Sequence, residues 1–130
     1  MPRLLAALLL ACSVLTAACA ADVAKVAPAE AAQLVAAGAV LIDVREPAEW
    51  KESGVADPAL LLPMSDFNGA QAEWKAILDG AKDKTLVLYC RSGGRAGRIG
   101  AALAEKGFKV VNAGAFKDWQ AAGLPVRKVE

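Results

Sequence analysis

Two short apolar runs, AVLIDV at Ala39–Val44 and TLVLY at Thr85–Tyr89, constrain this chain more than any other feature. Neither alternates apolar with polar residues, so each fits a strand covered on both faces rather than one with a wet side. The stretches around them read as helices. Pro28 suits the first turn of a helix running to Ala37, which Gly38 closes. Arg45-Glu46-Pro47 turns the chain into a short helix over Ala48–Glu52 anchored by Trp50. In Gln71–Leu78, Trp74 is spaced i, i+3 from Ile77 and i, i+4 from Leu78; in Ala96–Lys106, Ile99 and Leu103 repeat at i, i+4 before Gly107. Val23–Val26, Ala59–Leu62 before Pro63, and Lys109–Asn112 complete the strands, and Phe116–Ala121 is a last helix. Such alternation predicts one α/β domain over residues 23–130, with a small, mainly parallel sheet flanked by helices on both faces. Trp50, Trp74 and Trp119 are expected as packing anchors within it.

The 130 residues carry a formal net charge of +1, which fits a single core and offers no basic excess for a nucleic acid. Residues 1–20 are set apart from the domain. Arg3 precedes the apolar run Leu4–Ala11, and the segment ends in small residues, the pattern of a bacterial secretory signal. Ala18-Cys19-Ala20 is a site for ordinary cleavage, while Leu15–Cys19 is a relaxed lipoprotein signal that would put a lipid anchor on Cys19. An uncleaved anchor over Leu4–Ala21 is the third option, at the lower length limit of a spanning helix. The mature chain is therefore expected in the periplasm, soluble or lipid-anchored. Losing Arg3 leaves 14 basic against 14 acidic residues, so no charge-driven partner is implied. Cys12 and Cys19 lie in the leader, which makes Cys90 the lone thiol of the domain. A lone thiol in an oxidising compartment is either buried and inert or present for its chemistry.

Cys90 stands at the end of the Thr85–Tyr89 run, where ligands gather in parallel α/β sheets. Arg91, Ser92, Gly93, Gly94 and Arg95 follow, and then a helix. If this loop curls around the sulfur, its N–H groups and the positive end of the helix dipole stabilise an anion at the centre. Gly93 and Gly94 make the curl accessible, since glycine tolerates positive φ and lets backbone approach a ligand. The same field favours a nucleophilic thiolate without a histidine, and the chain contains none. Arg91 and Arg95 can fork onto a tetrahedral oxyanion, and Arg98 either extends the positive field or is a solvated helix residue. Such chemistry requires a thiol that solvent can reach. The plainer reading makes Cys90 a small buried hydrophobe and Gly93-Gly94 an ordinary turn; the flanking arginines and the strand–loop–helix setting weigh against it.

Cys90-Arg91-Ser92-Gly93-Gly94-Arg95 resembles the active loop of the rhodanese family of sulfurtransferases, a cysteine and an arginine separated by four residues. The block Leu41–Trp50 is similar to the family's early "DVRE…E(F/W)" stretch, and Gly114–Val126 to its closing "GG…W…GLPV". The three blocks occur in family order across residues 39–126. The resemblance implies a rhodanese-like fold, Cys90 as the nucleophile that forms a persulfide, and Arg91 to Arg95 as the substrate cradle. It also implies a small sulfur-containing anion such as thiosulfate as donor and a thiophilic acceptor, cyanide or a thiol. Asp43 and Arg45 are either active-site neighbours or, more in keeping with their place near the sheet end, a structural ion pair. Two departures stand out. Glu52–Ala59 replaces the family's histidine-containing "GHIPGA" segment, and Ala96 stands where many relatives have Ser or Thr.

Three rivals share some of these features. A cysteine-dependent phosphatase or arsenate reductase uses the same thiolate and amide cradle, but with one more residue between cysteine and arginine. A non-catalytic module would bind an anion or a partner at the same loop. A thiol–disulfide oxidoreductase lacks its second cysteine here. No metal, nucleotide or flavin site is expected, because histidine, paired cysteines in the domain and a dinucleotide-type glycine pattern are all missing from the sequence.

Overall fold

The computed structural model describes residues 23–130; the leader and its possible anchor at Cys19 lie outside the described residues. In chain order the elements are β1 (Ala24–Lys25), α1 (Pro28–Ala36), β2 (Val40–Asp43), α2 (Pro47–Ser53), β3 (Val55–Ala56), β4 (Leu60–Leu61), α3 (Met64–Asn68), α4 (Ala72–Gly80), β5 (Thr85–Cys90), α5 (Gly94–Glu105), β6 (Lys109–Ala115), α6 (Phe116–Ala121) and β7 (Val126–Arg127). Five strands form one sheet in the order β1-β6-β5-β2-β4, every neighbouring pair parallel. The apolar runs Ala39–Val44 and Thr85–Tyr89 are thus adjacent near its centre, with Asp43 opposite Tyr89.

Alternation along these strands sorts side chains into two cores. Ile42, Leu86, Leu88 and Cys90 face α3, α4 and α5, where Trp74, Ile99 and Leu103 pack on them. Leu41, Val87 and Tyr89 face the opposite layer, where Ala31 of α1 and Phe116 and Trp119 of α6 complete a second core. Both faces of the sheet are therefore covered, as the apolar runs predict. Trp74 and Trp119 anchor one layer each, their indole N–H groups donating to the carbonyls of Pro63 (2.9 Å) and Pro125 (2.8 Å). Trp50 is buried too, and its indole nitrogen makes no hydrogen bond among the described residues.

Three elements lie where the sequence pattern predicts none. β3 and β7 form a separate antiparallel pair, Val55 opposite Arg127 and Ala56 opposite Val126; this pair takes up the segment that replaces "GHIPGA". With two residues each, these strands have no periodicity to read. The one-turn helix α3 follows Pro63, and its Asp66 carboxylate accepts the free N–H groups of Ala72, Glu73 and Trp74 at the start of α4. β6 also continues past Asn112 to Ala115. Leu88 pairs with Asn112 but Cys90 with Ala115, so β6 bulges by one residue beside the end of β5.

Candidate functional site

Strand β5 ends at Cys90 and α5 begins at Gly94, leaving three residues to reverse the chain. Gly93 makes the turn with φ +93°, a left-handed conformation that any side chain would strain. This turn aims the Gly93 N–H at the Cys90 sulfur, 2.9 Å away. The Gly93 carbonyl accepts the first helical hydrogen bond, from Gly97 N–H at 2.9 Å. The earlier amides of α5, from Gly94 to Ala96, thus stand at the open positive end of a 12-residue helix. The helix starts two residues before the predicted Ala96, so Gly94 and Arg95 belong to its first turn rather than to a free loop.

The sequence reading requires a thiol open to solvent, and the structure corrects it: Cys90 is 0% exposed. The cause is the strand's own alternation. Cys90 points into the α3–α5 layer beside Ala96, and the Gly93 turn folds back over the sulfur from outside.

The two arginines of the loop have different surroundings. Arg91 is exposed, makes no ion pair among the described residues, and lines a cleft of ≈ 1000 Å³ together with Ser92, Arg45, Phe116 and Lys117. Arg95 is committed within the protein. Its two terminal nitrogens donate to the two oxygens of Glu49, each at 2.7 Å, in the fork geometry expected toward a substrate oxyanion. The fork holds the Glu49 carboxyl well below its usual 4.5, at about 2, against the opposing effect of partial burial; the Glu46 N–H adds to the lowering. Arg95 in turn is raised, chiefly by the hydrogen bonds to Glu49, with partial burial opposing and the charge of Glu49 contributing.

Glu49 is a site residue that sequence spacing leaves unassigned, although its signal is present. Glu46 and Glu49 form a capping box at the start of α2, with Glu46 N–H donating to Glu49 Oε2 at 2.8 Å. Glu46 also accepts from the N–H and hydroxyl of Ser65, so α3, α2 and the first turn of α5 are linked through one run of polar contacts. Arg98 is exposed and lines a second, smaller cleft of ≈ 580 Å³ with Lys25, Ser92, Gly93 and Asn112.

Asp43 and Arg45 form the structural ion pair expected near the sheet end. Both are buried; the Arg45 Nε donates to both Asp43 oxygens at 3.1 Å and Nη2 to Oδ2 at 2.8 Å. The remaining guanidinium donors reach Ser53 Oγ and the Gly54 carbonyl, each at 2.8 Å, and the group stacks 4.5 Å from the Phe116 ring centre. Burial opposes the charge of Arg45, but hydrogen bonds and attraction to Asp43 outweigh it, and the group ends raised. Burial pushes the neighbouring Tyr89 hydroxyl up strongly, with Asp43 adding to the effect. Among the described residues no cluster of three or more His, Cys, Asp or Glu side chains is placed to hold a metal ion, and no helix is long and apolar enough to cross a membrane.

Comparison with known proteins identifies the family and the fold. Residues 27–122 match the family model described as Rhodanese-like domain. A sulfurtransferase of Allochromatium vinosum is 36% identical over 89 residues, 67% of this chain and 77% of that protein. Among solved structures, a rhodanese-related protein from Thermoplasma volcanium superposes with a TM-score of 0.67 at 25% identity, covering 80% of this chain and 97% of that one. The polysulfide-sulfur transferase homodimer from Wolinella succinogenes gives 0.66 at 26% identity, over 84% and 81%.

Proposed function

This chain belongs to the rhodanese-like domain family of sulfurtransferases, and from that premise we propose that it moves a sulfane sulfur from thiosulfate or a similar donor to a thiophilic acceptor through a persulfide on Cys90. The observation that carries this reading is the 2.9 Å contact from Gly93 N–H to the Cys90 sulfur at the carboxyl end of β5. A donor so placed stabilises negative charge on sulfur before attack and, after transfer, on the adjacent persulfide group. In the first half-reaction the Cys90 thiolate attacks the outer sulfur of thiosulfate; the new S–S bond forms as the old one breaks, and sulfite leaves with the electron pair. In the second, cyanide or a thiolate attacks the terminal sulfur and Cys90 departs as thiolate, so no outside oxidant or reductant is needed. Arg91 is the charge that draws the donor into the cleft, while Arg95, held by Glu49, braces the loop. Residues 1–20 direct export, which places the reaction in the periplasm, and the mature N-terminal mass distinguishes plain cleavage from a lipid on Cys19.

The full burial of Cys90 favours a second reading, a rhodanese-like module that binds an anion or a partner without turnover. Under the sulfurtransferase reading, the Ser92–Gly93 backbone must lift for thiosulfate to meet the sulfur. Intact-protein mass spectrometry separates the two. Thiosulfate treatment is expected to add about 32 Da, one sulfur atom, to the native protein and nothing to Cys90→Ser. A folded native protein that gains no mass would leave the binding module as the better account.

A further inference from the structure

Asn112 lies within the apolar run Val110-Val111-Asn112-Ala113 of β6 and is 3% exposed, an unusual place for an amide unless both of its ends are used. They are. Its Nδ2 donates to the Gly93 carbonyl at 2.9 Å and its Oδ1 accepts the Gly114 N–H at 2.8 Å. The bulge explains the second bond: where β6 has one residue more than β5 between the Leu88–Asn112 and Cys90–Ala115 pairs, a backbone donor loses its place in the ladder. The first bond reaches the very residue whose N–H rests on the Cys90 sulfur. Gly93 and Gly114 both have positive φ and lie in contact, a Cβ added at Gly93 coming within 3.4 Å of the Gly114 Cα and 3.7 Å of the Asn112 amide nitrogen. One side chain therefore joins the turn over the sulfur to the bulge of the neighbouring strand.

We propose that Asn112 is a positioning residue, a two-ended clamp that holds the Gly93 N–H on the Cys90 sulfur and so maintains the geometry on which sulfur transfer depends. The clamp itself stands on the hydrogen bonds; its effect on turnover rests on the sulfurtransferase reading above. Amide hydrogen exchange and steady-state kinetics with thiosulfate and cyanide test the two parts separately. In Asn112→Leu, exchange at Gly93 and Gly114 should accelerate about tenfold or more, the worth of one lost hydrogen bond, with Val87 in the middle of β5 unchanged. Asn112→Asp keeps an acceptor for Gly114 but turns a second acceptor toward the Gly93 carbonyl, so Gly114 should stay protected while Gly93 does not. Sulfur transfer by either variant should lose about tenfold in kcat with KM for thiosulfate nearly unchanged, because the loop geometry is altered and Arg91 is not. Leu34→Ala, a cavity in the opposite layer, is the control for general destabilisation and should not produce that split.

Unchanged exchange at Gly93 in Asn112→Leu would overturn the clamp. Loosened Gly93 with undiminished kcat would overturn its role in positioning. If the native protein took no sulfur from thiosulfate, the sulfurtransferase reading would fall, while the clamp would still be decided by the exchange rates.

Discussion

Two corners stand side by side at the carboxyl edge of the sheet, where β2 and β5 run parallel with Asp43 opposite Tyr89. Each turns a buried strand into a helix. The β2 corner closes on itself, since Asp43, Ser53, Gly54 and the Phe116 ring engage the whole Arg45 guanidinium. At the β5 corner, backbone meets the sulfur and Arg91 faces a cleft without an ionic partner among the described residues. Position at a strand end is thus not enough to make a site. What separates the corners is whether the local charges are satisfied inside the protein or left for something outside it. Arg45 also lines the cleft beside Arg91, so the closed corner forms a wall of the open one.

The contrast is most exposed to failure in the closed corner. Asp43→Ala would leave the buried Arg45 uncompensated and should destabilise the domain by about 3–5 kcal/mol in denaturant titration. Near-native stability with lost turnover would instead place Asp43 among the reacting groups. In the open corner, Arg91→Ala should leave stability within about 0.5 kcal/mol of native, as expected for an exposed side chain. The same change should raise KM for thiosulfate about tenfold, the value of one charge-assisted contact. An unaltered KM would move the donor's charge partner elsewhere in the cleft, with Lys117 the next cation on its lining.

The smallest effect belongs to the brace between the corners. Because Glu49 is lowered from 4.5 to about 2, its pair with Arg95 contributes fully above about pH 4.5 and fades as pH falls toward 2. Glu49→Gln should therefore lower Tm slightly at neutral pH and flatten that acid limb of the Tm curve. An unchanged limb would mean that the pair adds nothing measurable, as many exposed pairs do.

Much of this was legible before any coordinates. β2 and β5 read as doubly covered strands because their residues are apolar on both sides of the alternation, and that signal survives any tertiary detail. The loop after Cys90 was readable because glycines, arginines and a strand end occur together in nine residues. Contacts between distant residues were not. Glu49 meets Arg95 across 46 positions and Asn112 meets Gly93 across 19, and no local periodicity reports either distance. An asparagine after two valines reads as the end of a strand; in the structure it lies at a bulge within one. The burial of Cys90 was hidden for a related reason, since a turn's sequence tells that it reverses the chain but not how tightly it lies on what precedes it.

That covering has a chemical consequence for the thiol beneath it. Oxidation of cysteine to sulfenic and higher acids follows access to peroxide and to other thiols. A sulfur with no surface of its own is shielded from such reagents by the turn that lies on it. Under the sulfurtransferase reading, the turn a donor must pass to reach Cys90 is the same one that keeps oxidants from the resting thiol.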